Sequence, residues 1–277
     1  MTVALGLVCA DGVIVASDSM ATSGNVARLA VKVHAFRLAP AVWTASGSVY
    51  VIEDVETALN ELEAELDREG PNPVKRAFFD PDEAMIRQKI GGAIHKAVKS
   101  CYDLALPHGP GTGIAGRHAF ASDFLVLGWA NQKPYFLEFA HDGQMNWHTH
   151  EGFYAVGSAG DFATVANALM AHYIEGEPLA VEDGLLLAWR TIDTTCGVSS
   201  HFVGGPVQIA VVDSDRQRVL DEAEIEEVKT AVAGWKEVER DSIRRRKTPE
   251  PEGPDRLPEV IPDDAQGAAP GTPNPAH

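Results

Sequence analysis

Three cysteines in 277 residues, Cys9, Cys101 and Cys196, are too few and too far apart for a disulfide framework or a structural zinc site. They fit reduced thiols in a cytoplasmic protein, and Cys9, within an apolar run, reads as core packing. Long apolar runs are missing as well. None approaches the roughly 20 residues needed to span a bilayer. The first apolar segment has no basic start and contains Asp11, so it does not read as a secretory signal. Positive charge is scarce. Twenty-three Lys and Arg face 40 Asp and Glu, a net charge of −17. That balance argues against nucleic acid, whose phosphates need clustered cations, and against anionic membrane surfaces. The loop Gly109-Pro110-Gly111-Thr112-Gly113 lacks the Gly-Lys-Ser/Thr ending of a phosphate-binding loop. His148 and His150 could face a metal from one strand, but no third ligand is evident, and surface histidines are the simpler reading. No metal or cofactor is therefore expected.

What is present begins at the second residue. Thr2 follows the initiator Met and opens the run Thr2-Val3-Ala4-Leu5-Gly6-Leu7-Val8. Methionine aminopeptidase removes Met before small residues, which would expose a threonine with both a hydroxyl and a free α-amine. An α-amine titrates near 7.7–8.0, so it can serve as a base at neutral pH. One residue then supplies nucleophile and general base together. Many chains begin Met-Thr, so the following residues must carry the argument. Val3–Val8 reads as a buried strand, Asp11-Gly12 as a turn and Val13–Ala16 as a second strand. Asp18 stands at the end of that hairpin, and Lys32 opens the next apolar stretch. Taken alone, Asp18 is an ordinary turn carboxylate and Lys32 a solvated strand residue.

Taken together, Thr2, Ala16-Ser17-Asp18, Ala21-Thr22-Ser23-Gly24 and Lys32-Val33 resemble the proteasome-type N-terminal-nucleophile (Ntn) hydrolases, which include proteasome β-subunits, HslV-type peptidases and Anbu proteins. The Lys comes about two residues early, which implies a shortened loop around Asn25–Leu29. The resemblance implies that Lys32 lowers the pKa of the Thr2 hydroxyl and that Asp18 keeps Lys32 charged and oriented. It places an oxyanion-binding amide at Ser46 or Gly47, in the turn Ala45-Ser46-Gly47-Ser48. It also places a proton-shuttling serine at Ser158, within Gly157-Ser158-Ala159-Gly160. The alternative for both segments is a plain strand-to-helix turn. Where many members carry an Asp in a further segment, this chain has Ser199, which could accept and donate in its place; Asp193 is a poorer positional match. The segment Ser200-His201-Phe202-Val203-Gly204-Gly205-Pro206 looks more like Anbu proteins than like proteasome subunits.

The implied fold is α+β, a four-layer αββα sandwich of two antiparallel sheets. Periodicity agrees: strands near 3–9, 12–18, 31–37, 41–46, 121–129, 135–141, 152–156 and 207–212 alternate with helices near 49–67, 80–106, 161–175, 182–195 and 222–243. Residues 1–243 form one domain on this reading. Residues 244–277, rich in Pro, Glu, Asp, Gly and Ala, cannot bury a core and read as a disordered tail.

The expected activity is a threonine-type peptidase or amide hydrolase acting on peptides or unfolded proteins. The resemblance implies a homo-oligomer, a ring or helical stack, with any unfolding energy supplied by a separate ATPase or adaptor. By alignment Ala21, Ala30 and Thr44 line the specificity pocket, and such small residues suit a sizeable apolar side chain. Two other readings stay open. The acyl-threonine could pass to an amine on one specific partner, or the chain could be a non-catalytic scaffold of the same fold.

Overall fold

The computed structural model describes residues 2–23, 26–68, 83–105, 121–130, 133–140, 143–148, 152–172, 179–199, 203–213 and 217–245. Strands β1 (Ala4–Val8) and β2 (Gly12–Ser17) form the expected hairpin, with Ala4 opposite Ser17 and Val8 opposite Val13. A ribbon of β3 (Met20–Ser23) and β4 (Val26–Leu29) follows. Where a shortened loop around Asn25–Leu29 was expected, Val26–Leu29 is a strand. Strands β5 (Val33–Ala35) and β6 (Ala41–Gly47) lead into helix α1 (Val49–Arg68). Next come α2 (Glu83–Ile86), a π-helical turn (Arg87–Gly91) and α3 (Gly92–Ala105). Strands β7 (Ser122–Ala130), β8 (Lys133–Phe139), β9 (Met145–His148) and β10 (Phe153–Val156) precede helices α4 (Gly160–Ala171) and α5 (Val181–Val198). Strands β11 (Gln208–Asp213) and β12 (Gln217–Val219) and helix α6 (Glu222–Arg245) complete the order.

Two five-stranded sheets result, ordered β10-β1-β2-β11-β12 and β5-β6-β7-β8-β9, and every pairing is antiparallel. The fold is thus mixed, with antiparallel sheets and helices. Strand alternation divides its core. Val13, Val15, Val42, Leu125, Leu127, Phe136 and Ala210 make one cluster, which joins inward faces of both sheets. Residues of the opposite parity, Ala41, Trp43, Ala45, Val126 and Leu137, join a second cluster with Val51, Val55 and Leu59 of α1 and Ile94 and Val98 of α3. Each Leu, Ile or Phe fully buried in this way contributes about 1.5–3 kcal/mol. Gly6 allows the sheets to approach, because a Cβ there would fall 2.5 Å from Phe136 and 2.8 Å from Leu127.

Glu63 of α1 is buried although charged. Its carboxylate accepts the Arg37 and Leu38 N–H groups at 2.6 and 2.9 Å, tying the β5–β6 turn to the helix. That anchor fixes α1 against the strand that follows Lys32.

By its contacts the chain divides into two units, Met1–Gly234 and Trp235–His277. In α6, Val228 and Val232 are buried, and Val238 is exposed. No helix among the described residues is long and apolar enough to cross a membrane. The glycine-rich loop at 109–113, the expected helix start at 80–82 and residues 246–277 of the expected tail lie outside the described residues.

Candidate active site

Thr2 stands just ahead of β1, at the end of a sheet, and four segments converge on it. Its backbone is held on both sides. The Ala159 N–H donates to Thr2 O at 3.4 Å, and Val3 pairs with the Ser17–Asp18 segment through Asp18 N–H to Val3 O at 3.2 Å. The Ser17 hydroxyl also donates to Val3 O at 2.8 Å. Thr2 is only 9% exposed, so the hydroxyl sits in a largely dry setting.

Lys32 supplies the charge. Its ammonium donates to Thr2 Oγ1 at 3.1 Å, to Asp18 Oδ1 at 2.8 Å and to Met20 O at 2.5 Å, which uses all three of its protons. Burial lowers the Lys32 pKa from its ordinary value, and the Asp18 carboxylate works against that shift. Asp18 has no exposed surface and is saturated by donors: Val3 N–H on Oδ1, Met20 and Gly204 N–H on Oδ2, at 3.1, 3.2 and 3.1 Å. Such a carboxylate is held in one orientation and keeps the neighbouring ammonium charged. A positive charge fixed this near a hydroxyl in a low-dielectric pocket favours the alkoxide.

The Thr2 nitrogen, a peptide nitrogen while Met1 is attached, donates to Ser158 Oγ at 3.3 Å. Ser158 follows Gly157, whose φ of 94° lies in the left-handed region. A side chain at Gly157 would overlap Thr2 O and approach Ser46 Oγ, so glycine is required there.

The remaining expected residues divide. Ser46 and Gly47 end β6 beyond its pairing with β5; Gly47 has φ 124° and borders the cavity in front of Thr2. Ala21 and Ala30 also border that cavity, which measures about 340 Å³. Thr44 does not. It lies fully buried on the opposite face of β6, where its hydroxyl donates to Lys32 O at 2.8 Å, because side chains alternate along a strand. Ala45 and Gly47 line the cavity instead. Ser199 is not drawn into the Thr2 cluster. It closes α5, its N–H on Thr195 O at 2.8 Å, and among the described residues its hydroxyl makes no hydrogen bond to Thr2, Asp18 or Lys32. The donor from this part of the chain is the Gly204 N–H on Asp18.

Gln208 joins the site without a motif that marks it in the sequence. Its amide accepts Lys32 N–H and donates to Ala30 O, both at 2.8 Å. A polar residue opening the apolar strand Gln208–Asp213 was its visible signal. His148 pairs with Glu138 at 3.0 Å rather than presenting a free ring, and His150 lies outside the described residues. No group of three or more metal-ligating side chains occurs among the described residues. The thiols of Cys9, Cys101 and Cys196 are free, and burial pushes each up to about 12.

Solved structures share this fold. An Anbu Gly-1 mutant from Hyphomicrobium sp. strain MC1 superposes with a TM-score of 0.61 at 14% identity, over 88% of this chain and 97% of that one. Anbu, described as an ancestral beta-subunit, from Yersinia bercovieri gives 0.64 at 15% identity, over 88% and 96%. The chain has the fold of Anbu. That fold is the Ntn-hydrolase fold of the ancestral bacterial proteasome β-subunit. No family model matches the chain, and no curated protein matches it. Identity this low speaks for the Anbu fold alone, so the chemistry must be argued from the residues.

Proposed function

We propose that the protein is a threonine-type peptidase or amide hydrolase whose nucleophile is Thr2 after removal of Met1. The observation that carries this reading is the Lys32 ammonium, placed on both the Thr2 hydroxyl and the Asp18 carboxylate. Thr2 Oγ attacks the scissile carbonyl carbon while its proton passes to the freed α-amine, directly or through Ser158. The tetrahedral oxyanion is received by the backbone N–H at Ser46 or Gly47. Collapse breaks the C–N bond; the α-ammonium returns its proton to the departing amine, leaving an ester on Thr2. Water, deprotonated by the same α-amine, attacks that ester and restores the hydroxyl.

The wider reading is an αββα sandwich of four layers. It is supported by one core cluster between the sheets and another beneath α1 and α3. Assembly into a homo-oligomeric ring or stack is supported by the beta-subunit description of the Yersinia relative. The exposed Phe162, Val165 and Leu169, which share one face of α4, also support it. Substrates would be peptides or unfolded chains.

The test is the intact mass before and after a peptide epoxyketone, which closes a ring with both the hydroxyl and the amine of a terminal Thr. Loss of Met1 and a single adduct, absent in Thr2→Ala, is the expected result. Retained Met1 on purified protein would remove the mechanism.

A further inference from the structure

The cavity in front of Thr2 has two unlike walls. On one, Ala21, Ala30 and Ala45 leave space. On the other, α1 presents Val49, Ile52, Glu53 and Glu56, spaced i, i+3, i+4 and i+7 on a single helix face. Val49 comes first along the helix and the two carboxylates lie about 6 and 10 Å beyond it at 1.5 Å per residue, with Ile52 beside Glu53. We propose that this cavity selects a lysine or arginine side chain of the substrate on the acyl side of the cleaved bond, with Glu53 and Glu56 as its counter-charges. The proposal rests on the reading of Thr2 as nucleophile, and it replaces the apolar preference expected from Ala21, Ala30 and Thr44.

Neither carboxylate is neutralised among the described residues. Among the described residues Glu53 has no charged partner, and Glu56 has only the His34 ring at 3.7 Å. That ring is stacked on Trp43 with centroids 4.0 Å apart, and burial lowers its pKa to about 4, so at neutral pH it brings no positive charge. Two cations border the cavity: the Lys32 ammonium is already taken up by Thr2, Asp18 and Met20, and Arg28 belongs to the ribbon wall. It sits opposite Ala21, is exposed, and pairs with neither glutamate. A side chain with an aliphatic stem and a cationic head meets both halves of the α1 wall in order. Its stem lies along Val49 and Ile52 and its head reaches the carboxylates. An acidic side chain would meet two like charges, and a plain aliphatic one would leave them unpaired.

The experiment compares tripeptide epoxyketones ending in Arg, Leu or Glu, read as labelling rates by intact mass. Full-length wild-type protein is set against Glu53→Gln, Glu56→Gln, the double variant and Glu56→Lys. Both glutamates carry solvent-exposed surface, so the variants should melt within a few degrees of wild type. We expect the Arg probe to label wild type roughly tenfold faster than the Leu probe, the double variant to erase that advantage, and Glu56→Lys to favour the Glu probe. A wild type labelled fastest by Leu or Glu, or an Arg preference that survives the double variant, overturns the proposal. Calorimetric binding of an arginine-ended tripeptide amide to Thr2→Ala separates the two readings. Binding lost in the double variant, with no probe labelling wild type, would leave the cavity's preference standing and remove the nucleophile. No labelling and no charge-dependent binding would remove both.

Discussion

The Lys32 ammonium stands 3.1 Å from the Thr2 hydroxyl and 2.8 Å from the Asp18 carboxylate, so one buried charge links a nucleophile candidate to its counter-ion. The two ends of this link should respond differently to mutation. Asp18→Asn leaves Lys32 charged and unpaired and weakens three backbone anchors. Its cost to the fold should be on the order of 3–5 kcal/mol, read as a lowered Tm. Lys32→Met leaves Asp18 its three N–H donors, so stability should suffer less. Epoxyketone labelling of Thr2 should instead slow by about 10²–10³-fold. A Lys32→Met protein labelled at the wild-type rate would refute the activating role of Lys32.

The pH profile follows from the same pair. The α-amine must be free to act as base, so the acid limb of kcat/KM should lie near its titration, about 7.7–8.0. Burial lowers Lys32 below its ordinary 10.5. The alkaline limb should therefore fall below that value, where the charge on the hydroxyl is lost. Stability should move the other way. Between the lowered pKa and 10.5 the unfolded chain holds the proton that the folded chain has lost, so unfolding free energy rises with pH across that window and falls back as pH drops through the folded pKa. Asp18→Asn removes the main opposing influence and should shift the alkaline limb to lower pH. An unmoved limb would show that another group sets it.

Gly157 should be irreplaceable. Alanine there meets both a left-handed backbone and the Thr2 carbonyl. The torsion alone costs roughly 1–3 kcal/mol, and relief by displacing Thr2 should reduce labelling more than tenfold. Gly92→Ala is the control: nothing lies within 4 Å of its added methyl, and in a helix it should be neutral or stabilising by up to about 1 kcal/mol. Equal labelling of the two variants would show that Thr2 is not positioned by this contact.

Legibility in the sequence followed the range of each signal. The β1–β2 hairpin was readable because Asp11-Gly12 and two short apolar runs are local features. Helix α1 was readable from Val51, Val55, Leu59, Leu62 and Leu66 at helical spacing. Thr2, Asp18, Lys32 and Ser158 were legible only through family resemblance, since nothing local brings positions 2 and 158 within hydrogen-bond reach. The β3–β4 ribbon was missed because Met20–Ser23 and Val26–Leu29 are short and lack a clear period. The placement of Thr44 failed because alignment to small pocket residues ignored which face of β6 each one occupies. Glu53 and Glu56 carry no motif of their own in the sequence, and only the packing of α1 beside β6 brings them to the cavity.

Gln208 offers the last test, because it touches Lys32 only through the backbone. Paired opposite Ser17, it ties residues 30 and 32 to the sheet that carries Asp18. Gln208→Leu would strand a part-buried N–H and carbonyl, costing about 1–3 kcal/mol, and would let the Lys32 backbone drift. Labelling of Thr2 should fall about tenfold, since a misplacement near 1 Å can cost up to about 10² in rate. Gln208→Glu keeps an acceptor for Lys32 N–H and loses the donor to Ala30 O, so it should fall between the two. The alkaline limb should stay where it is in Gln208→Leu, because the groups that face the Lys32 ammonium are unchanged, whereas the added carboxylate of Gln208→Glu would itself push the limb to higher pH. A limb that moved in Gln208→Leu would mean that the amide acts on the charge of Lys32 rather than on its position.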